Sequence, residues 1–137
     1  MSTETISPAT IAQGSTFVWH ECYAPDAQKA IDFYTKALDF GTQDFPMEGM
    51  GTYRMLTKNG QAVCGVMSTT EMPHMKGVPP HWAVYLGVDN VDARLEKCKS
   101  LGAKVVVPPM DVPTIGRMTL IEDPQGAHVW LFQEEKR

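Results

Sequence analysis

Residues 19–38 read WHECYAPDAQKAIDFYTKAL, and residues 82–101 read WAVYLGVDNVDARLEKCKSL. Trp19, Asp26, Ala30 and Leu38 of the first stretch match Trp82, Asp89, Ala93 and Leu101 of the second, all at one offset of 63 residues. Further on, Arg54-Met55 matches Arg117-Met118 at the same offset. A three-residue insertion then sets Gly60 against Gly126 and Val63 against Val129. One identity carries little. A common offset held across about fifty residues indicates a duplicated unit.

Each copy predicts the same run of elements. Phe17 to Tyr23 is aromatic and β-compatible, a strand. Pro25-Asp26 supplies a turn and a helix N-cap. Ala27, Ala30, Ile31, Tyr34 and Leu38 follow at helical spacing, and Gly41 is placed to let the chain leave the helix. Strands are expected at about 42–47, 52–57 and 61–68, the last two joined by the hairpin signal Asn59-Gly60. In the second copy, 81–88 is a strand. Asp89-Asn90 caps a helix bearing Val91, Leu95, Cys98 and Leu101 on one side, and Gly102 ends it. Lys104 to Val107 is a strand stopped by Pro108-Pro109. Residues 117–122 and 128–133 form a hairpin across Asp123-Pro124-Gln125-Gly126. The order β-α-β-β-β occurs twice.

Composition bounds the function. The chain has 137 residues, 43% of them hydrophobic, the size of one domain. Twelve Lys and Arg stand against sixteen Asp and Glu, a net charge of −4, which disfavours nucleic-acid binding. No stretch approaches the length of a membrane-spanning helix. Residues 1–16 lack a basic start and an apolar core, so they read as a flexible lead-in rather than a signal peptide. Cys22, Cys64 and Cys98 are odd in number and widely spaced, against a disulfide framework and against zinc. A cytoplasmic protein with reduced thiols is expected. Nine Met and three Trp are more soft apolar side chains than a packed core requires.

Several motifs together resemble the vicinal oxygen chelate superfamily, which contains glyoxalases, bleomycin- and fosfomycin-resistance proteins and extradiol dioxygenases. Ala30-Ile31-Asp32-Phe33-Tyr34 looks like its first helix, and Val88-Asp89-Asn90-Val91-Asp92-Ala93 like its second. Glu122-Asp123-Pro124-Gln125-Gly126 looks like the turn before its last strand. Trp19-His20-Glu21 and Gly116-Arg117 are similar to a single-domain, glyoxalase-like subgroup. The resemblance implies an α+β fold: two tandem βαβββ modules, residues 17–69 and 81–133 with a linker at 70–80, forming a cup-shaped mixed sheet with helices on its convex face. It also implies a homodimer, and the sheet edges here show no protection beyond Pro108, Pro109 and Pro113.

In such proteins a divalent metal (Ni, Zn, Mn or Fe) is held in the cup by His and Glu from the first and last strands of each module. Carried over, those positions fall at Trp19 or, with a slip of one residue, His20; at Trp82 or Ala83; at Cys64; and at Trp130. Trp and Ala are not ligands, and His20 with Cys64 is too small a set for a tight site. The expectation is a metal-free cup, with no cofactor, lined by aromatics and Met and binding a small aromatic or apolar molecule. Ligand contacts are expected from Trp19, Tyr53, Cys64, Trp82, Tyr85, His128 and Trp130. Simple core packing explains the tryptophans as well. Glu21 shares a strand face with Trp19 and is the candidate general base or hydrogen-bond acceptor; a rim carboxylate is the plainer reading. Cys64 reads as a reactive thiol or as an inert buried one. Arg54 and Arg117 could grip an anionic ligand or form ion pairs. The other readings left open are a metal-dependent glyoxalase-like lyase or dioxygenase, an enzyme using Glu21 without metal, and a non-catalytic interaction module.

Overall fold

The computed structural model describes residues 16–47 and 51–135. Most of the expected lead-in, residues 1–15, lies outside them. Backbone contacts divide the described chain into two compact units. One runs from Trp19 to Ala83. The other holds residues 16–18 and the chain from Val84 onward.

The first unit is built from β1 (Thr16–Ala24), α1 (Ala27–Leu38), β2 (Gly41–Met47), β3 (Gly51–Lys58) and β4 (Gln61–Ser68). Its strands lie in the order β2-β3-β4-β1, with β1 parallel to β4 and the other pairs antiparallel. The chain then makes two single 3-10 turns, Thr69–Glu71 and Pro73–Met75, the first beginning one residue before the stretch expected to be linker. The second unit uses β5 (His81–Gly87) from Val84 onward, α2 (Val91–Ser100), β6 (Lys104–Val112), β7 (Gly116–Glu122) and β8 (His128–Glu134). Its order is β6-β7-β8-β5, with β5 parallel to β8. One topology is used twice, and the class is α+β.

Local chemistry explains the boundaries. The Asp26 carboxylate accepts the Lys29 N–H at 3.1 Å, and the Asn90 side chain accepts the Ala93 N–H at 2.9 Å, so both helices start on the residues expected to cap them. The exit from α1 differs from expectation. Asp39, not Gly41, takes the left-handed conformation (φ 59°). Gly41 is needed for a different reason: a Cβ there would lie 2.6 Å from the Thr57 hydroxyl across the β2–β3 pair. Asn59 and Gly60 both have positive φ, 53° and 80°, as a two-residue hairpin turn demands.

The expected stop at Pro108-Pro109 does not occur, and β6 continues to Val112. The strand lies at the sheet edge, and its pairing with β7 shifts register between Val105 and Val107 and again between Val107 and Met110. Proline is tolerated at such irregularities because no ladder N–H is needed there.

Each sheet packs one face on its helix. In the first unit Cys22, Ile31, Leu56, Cys64 and Val66 form the buried cluster, with Ala27, Ala30, Tyr34 and Phe40 against it. In the second unit Leu95, Ile121 and Leu131 do the same, joined by Leu86, Val88 and Cys98. Burying each such Leu or Ile contributes about 1.5–3 kcal/mol. Leu38 and Leu101, at the last positions of the two helical patterns, are exposed instead. Both stand where the helix ends and its apolar stripe leaves the sheet.

Candidate functional site

Strand alternation separates the first unit's sheet into two faces. Cys22, Leu56, Cys64 and Val66 take the helix side. Trp19, Glu21 and Tyr23 of β1, Gly65 of β4 and Tyr53 and Met55 of β3 take the other. The register puts Glu21 opposite Gly65, and Gly65 opposite Met55.

Three aromatic side chains converge on Glu21 from that face. The Tyr53 hydroxyl donates to Glu21 Oε2 at 2.5 Å, and the Tyr23 hydroxyl donates to Oε1 at 2.6 Å. The Trp19 indole N–H donates to Tyr53 Oη at 2.8 Å. The result is a directed chain, indole to phenol to carboxyl, with a second phenol on the other oxygen. Glu21 is buried, 4% exposed, whereas Trp19 and Tyr53 stay partly exposed. Burial, and then the Glu21 carboxyl beside it, push the Tyr53 phenol well above its ordinary range; the Trp19 N–H opposes this. Tyr53 therefore remains an O–H donor at any ordinary pH.

Backbone geometry makes room for this arrangement. The Tyr53 ring lies over Gly65, where any side chain would collide with it.

The expected site residues divide into separate groups. Trp19, Glu21 and Tyr53 come together. Cys64 sits on the helix side of the sheet within the buried cluster, its thiol pushed up to about 11 chiefly by burial. Trp82 is 47% exposed and packs edge-on to Tyr34 at 5.4 Å, beside α1. His20 is exposed and alternates with Trp19 and Glu21. In the second unit, Tyr85 and Trp130 are neighbours across the β5–β8 pair and stack at 5.3 Å with 6° between their planes, both buried. His128 lies at the start of β8, half-exposed, with Nε2 3.3 Å from the Glu122 carboxylate.

The two repeat-related arginines form ion pairs inside their own units. Arg54 meets Asp44 across β2–β3 and Gln28 of α1. Arg117 meets Asp111 across β6–β7 and Asp92 of α2. Each holds an outer strand to its helix.

Sequence reasoning missed Tyr23 and Gly65. Tyr23 follows Glu21 by two residues, so alternation alone placed it on the right face. Gly65 carried no local signal, because its importance lies in a ring supplied by another strand.

Among the described residues, the donors around Glu21 do not fit a divalent metal. The positions that the resemblance carries over are Trp19 or His20, Trp82 or Ala83, Cys64 and Trp130; of these Cys64 lies on the helix side of the sheet, and His20 points away from the face of Trp19 and Glu21. Glu21, the one carboxyl on the Trp19 face of β1, has an O–H donor on each oxygen. Among the described residues, no group of three or more His, Cys, Asp or Glu side chains is arranged to hold a metal ion. No described helix is long and apolar enough to cross a membrane.

Comparison with known proteins agrees with the topology. The protein is similar to CFP32 of Mycobacterium tuberculosis, named as a candidate glyoxylase, with 38% identity over 121 residues, 86% of this chain and 45% of that protein. It is 29% identical to the anthracycline biosynthesis protein DnrV of Streptomyces peucetius over 119 residues, 80% of this chain and 43% of that one. The chain thus spans less than half the length of these curated relatives. Among solved structures, methylmalonyl-CoA epimerase of Mycobacterium tuberculosis superposes with a TM-score of 0.61 at 17% identity, covering 88% of each chain. The Streptomyces coelicolor methylmalonyl-CoA epimerase gives 0.63 at 19% identity, covering 90% of this chain and all of the other. A family model matches residues 16–131. The chain belongs to the Glyoxalase/Bleomycin resistance protein/Dioxygenase superfamily.

Proposed function

We propose that this protein binds a small aromatic or apolar molecule without a bound metal, using the open faces of Trp19 and Tyr53. The observation that carries this reading is the hydrogen-bonded chain from Trp19 through Tyr53 to the buried Glu21. It sets the Trp19 ring, at one of the positions carried over from the resembled proteins' ion ligands, in a chain that ends on a carboxyl already bonded by two phenols. The rings are oriented by bonds at their polar atoms, so a ligand would meet pre-organised apolar surface with few internal demands to satisfy. Glu21 is the one acid or base in the cluster. If the protein is also an enzyme, Glu21 would move the proton, with Tyr53 holding its second oxygen.

The test is a thermal-shift screen of chelator-treated protein against aromatic compounds, followed by the same screen on Trp19→Ala and Tyr53→Phe. A hit whose shift disappears in both variants supports the reading. Adding Ni, Zn, Mn or Fe in the absence of organic ligand should leave the melting temperature unchanged, since only a species that binds the folded state raises it. A stoichiometric metal-induced rise would favour a metal-dependent glyoxalase-like lyase or dioxygenase instead. A homodimer is part of the same proposal, and gel filtration checks it.

A further inference from the structure

The hydrogen bonds around Glu21 have a direction, and that direction decides what the cluster can do when an electron is removed from it. The Trp19 indole N–H donates to Tyr53 Oη at 2.8 Å, and the Tyr53 O–H donates to Glu21 Oε2 at 2.5 Å. Trp19 and Tyr53 are partly exposed, while Glu21 is buried. The chain of bonds therefore runs from a ring that solvent reaches to a proton acceptor that solvent does not. The other oxygen of Glu21 accepts the Tyr23 O–H at 2.6 Å, which holds the carboxyl in place.

A phenol that loses an electron becomes a strong acid, so oxidising a tyrosine near neutral pH is easiest where a base already accepts its proton. Tyr53 has that base. Burial, and then the carboxyl beside it, push its phenol well above the ordinary range, so the proton stays on Tyr53 until an electron leaves. A second indole–phenol pair gives the contrast. The Trp82 N–H donates to Tyr34 Oη at 3.2 Å, and Trp82 is 47% exposed. Among the described residues, no carboxylate accepts the Tyr34 O–H. That pair can lose an electron, but its proton has only water to go to.

We propose that Tyr53 is a redox-active tyrosine, and that the Trp19–Tyr53–Glu21 chain reduces small one-electron oxidants of the free-radical class. The radical takes one electron from the Trp19 ring and leaves as its anion. Tyr53 then gives one electron to Trp19, its O–H bond breaks, and the proton forms a new O–H bond on the Glu21 carboxylate at Oε2. The products are a neutral tyrosyl radical at Tyr53, a protonated Glu21 and a restored Trp19. The proton moves along a hydrogen bond already made, so no heavy atom has to rearrange. This activity goes beyond the binding proposed above and does not depend on it, because no ligand takes part.

Pulse radiolysis of the full chain in azide solution tests it, since the azide radical oxidises tryptophan by one electron and becomes azide. Trp82→Phe is the starting protein. It leaves Trp19 as the tryptophan most open to solvent, Trp130 being 3% exposed. The tryptophan radical signal should give way to a tyrosyl signal, and more slowly in heavy water. Glu21→Gln should slow this step by about 100-fold, because an amide does not take the proton. Tyr53→Phe should abolish it, and Tyr34→Phe should leave it unchanged. Circular dichroism checks that each variant folds. A tyrosyl signal that survives Tyr53→Phe, or is lost in Tyr34→Phe, overturns the inference. So does the absence of any tyrosyl signal. An equal rate in ordinary and heavy water overturns it too, and that comparison needs no change at Glu21 or Tyr53.

Discussion

Tyr53 fills the space that Gly65 leaves by having no side chain. A Cβ at position 65 would fall 1.8 Å from the Tyr53 oxygen and 2.3 Å from its Cζ. Gly65→Ala must therefore push the phenol aside, breaking its bonds to Glu21 and Trp19. The expected loss is about 1–3 kcal/mol, the usual range for overpacking or for leaving a buried polar group unmatched. Urea unfolding measures it. In a Tyr53→Ala background the same substitution should cost much less, because the two residues share one volume. An equal cost in both backgrounds would show that position 65 matters for some other reason.

Tyr53→Phe keeps the ring and removes one oxygen. Glu21 Oε2 then loses its donor and the Trp19 indole its acceptor, both at partly or fully buried positions. A destabilisation of about 1–3 kcal/mol is expected by urea unfolding. Tyr23→Phe should cost a comparable amount, since its 2.6 Å bond to Glu21 is buried. Combined with Glu21→Gln, the penalties should fall well short of their sum, because all three residues belong to one network.

The duplicated topology was readable from Trp19, Asp26 and their counterparts 63 residues on, because strand and helix periodicity are local properties. The caps Asp26 and Asn90 were readable for the same reason. Alternation tied Glu21 to Trp19, and the structure links the two through Tyr53. Alternation was also enough to put Cys64 and Gly65 on opposite faces of β4, but not to say which face met the helix. That depended on Ile31 and Leu56, which lie on other elements. The Pro108-Pro109 stop failed because register shifts absorb proline, and shifts leave no simple pattern in the chain. The surplus of Met is not concentrated in one place: Met55 and Met75 are buried and Met110 is exposed.

Cys64 predicts a loss of stability in alkali. Burial raises its thiol from 9.0 to about 11 in the folded protein, and Cys22 beside it in the same cluster shifts in the same direction. Between those values the unfolded chain has released its proton while the folded one retains it. Stability is therefore fully present below pH 9 and falls as the pH rises from about 9 toward 11. Urea midpoints at pH 7, 9 and 10.5 should decline more steeply for the wild type than for Cys64→Ala. At pH 7 the thiol should react slowly with iodoacetamide until denaturant is added, because the thiolate is the nucleophile. Parallel pH profiles for the two proteins would contradict the assignment.

Trp130 and Tyr85 decide whether the second unit uses its aromatics for packing. They stack nearly parallel, 6° apart, and are 3% and 6% exposed. Burial that complete leaves little ring surface for a ligand, so the main expected effect of substitution is on stability. Trp130→Leu and Tyr85→Leu should each destabilise by about 2–4 kcal/mol, most of it lost apolar burial. The double variant should show a coupling of about 0.5–1.5 kcal/mol, the typical worth of an aromatic pair beyond its buried area. Trp130→Phe retains a stacking face and should recover part of that coupling. If Trp130→Phe instead left stability unchanged and abolished the response to an aromatic ligand found in the screen, the stack would be a binding surface. The stability readings and the ligand response together separate the two roles, since packing moves the urea midpoint and recognition moves the ligand-induced shift.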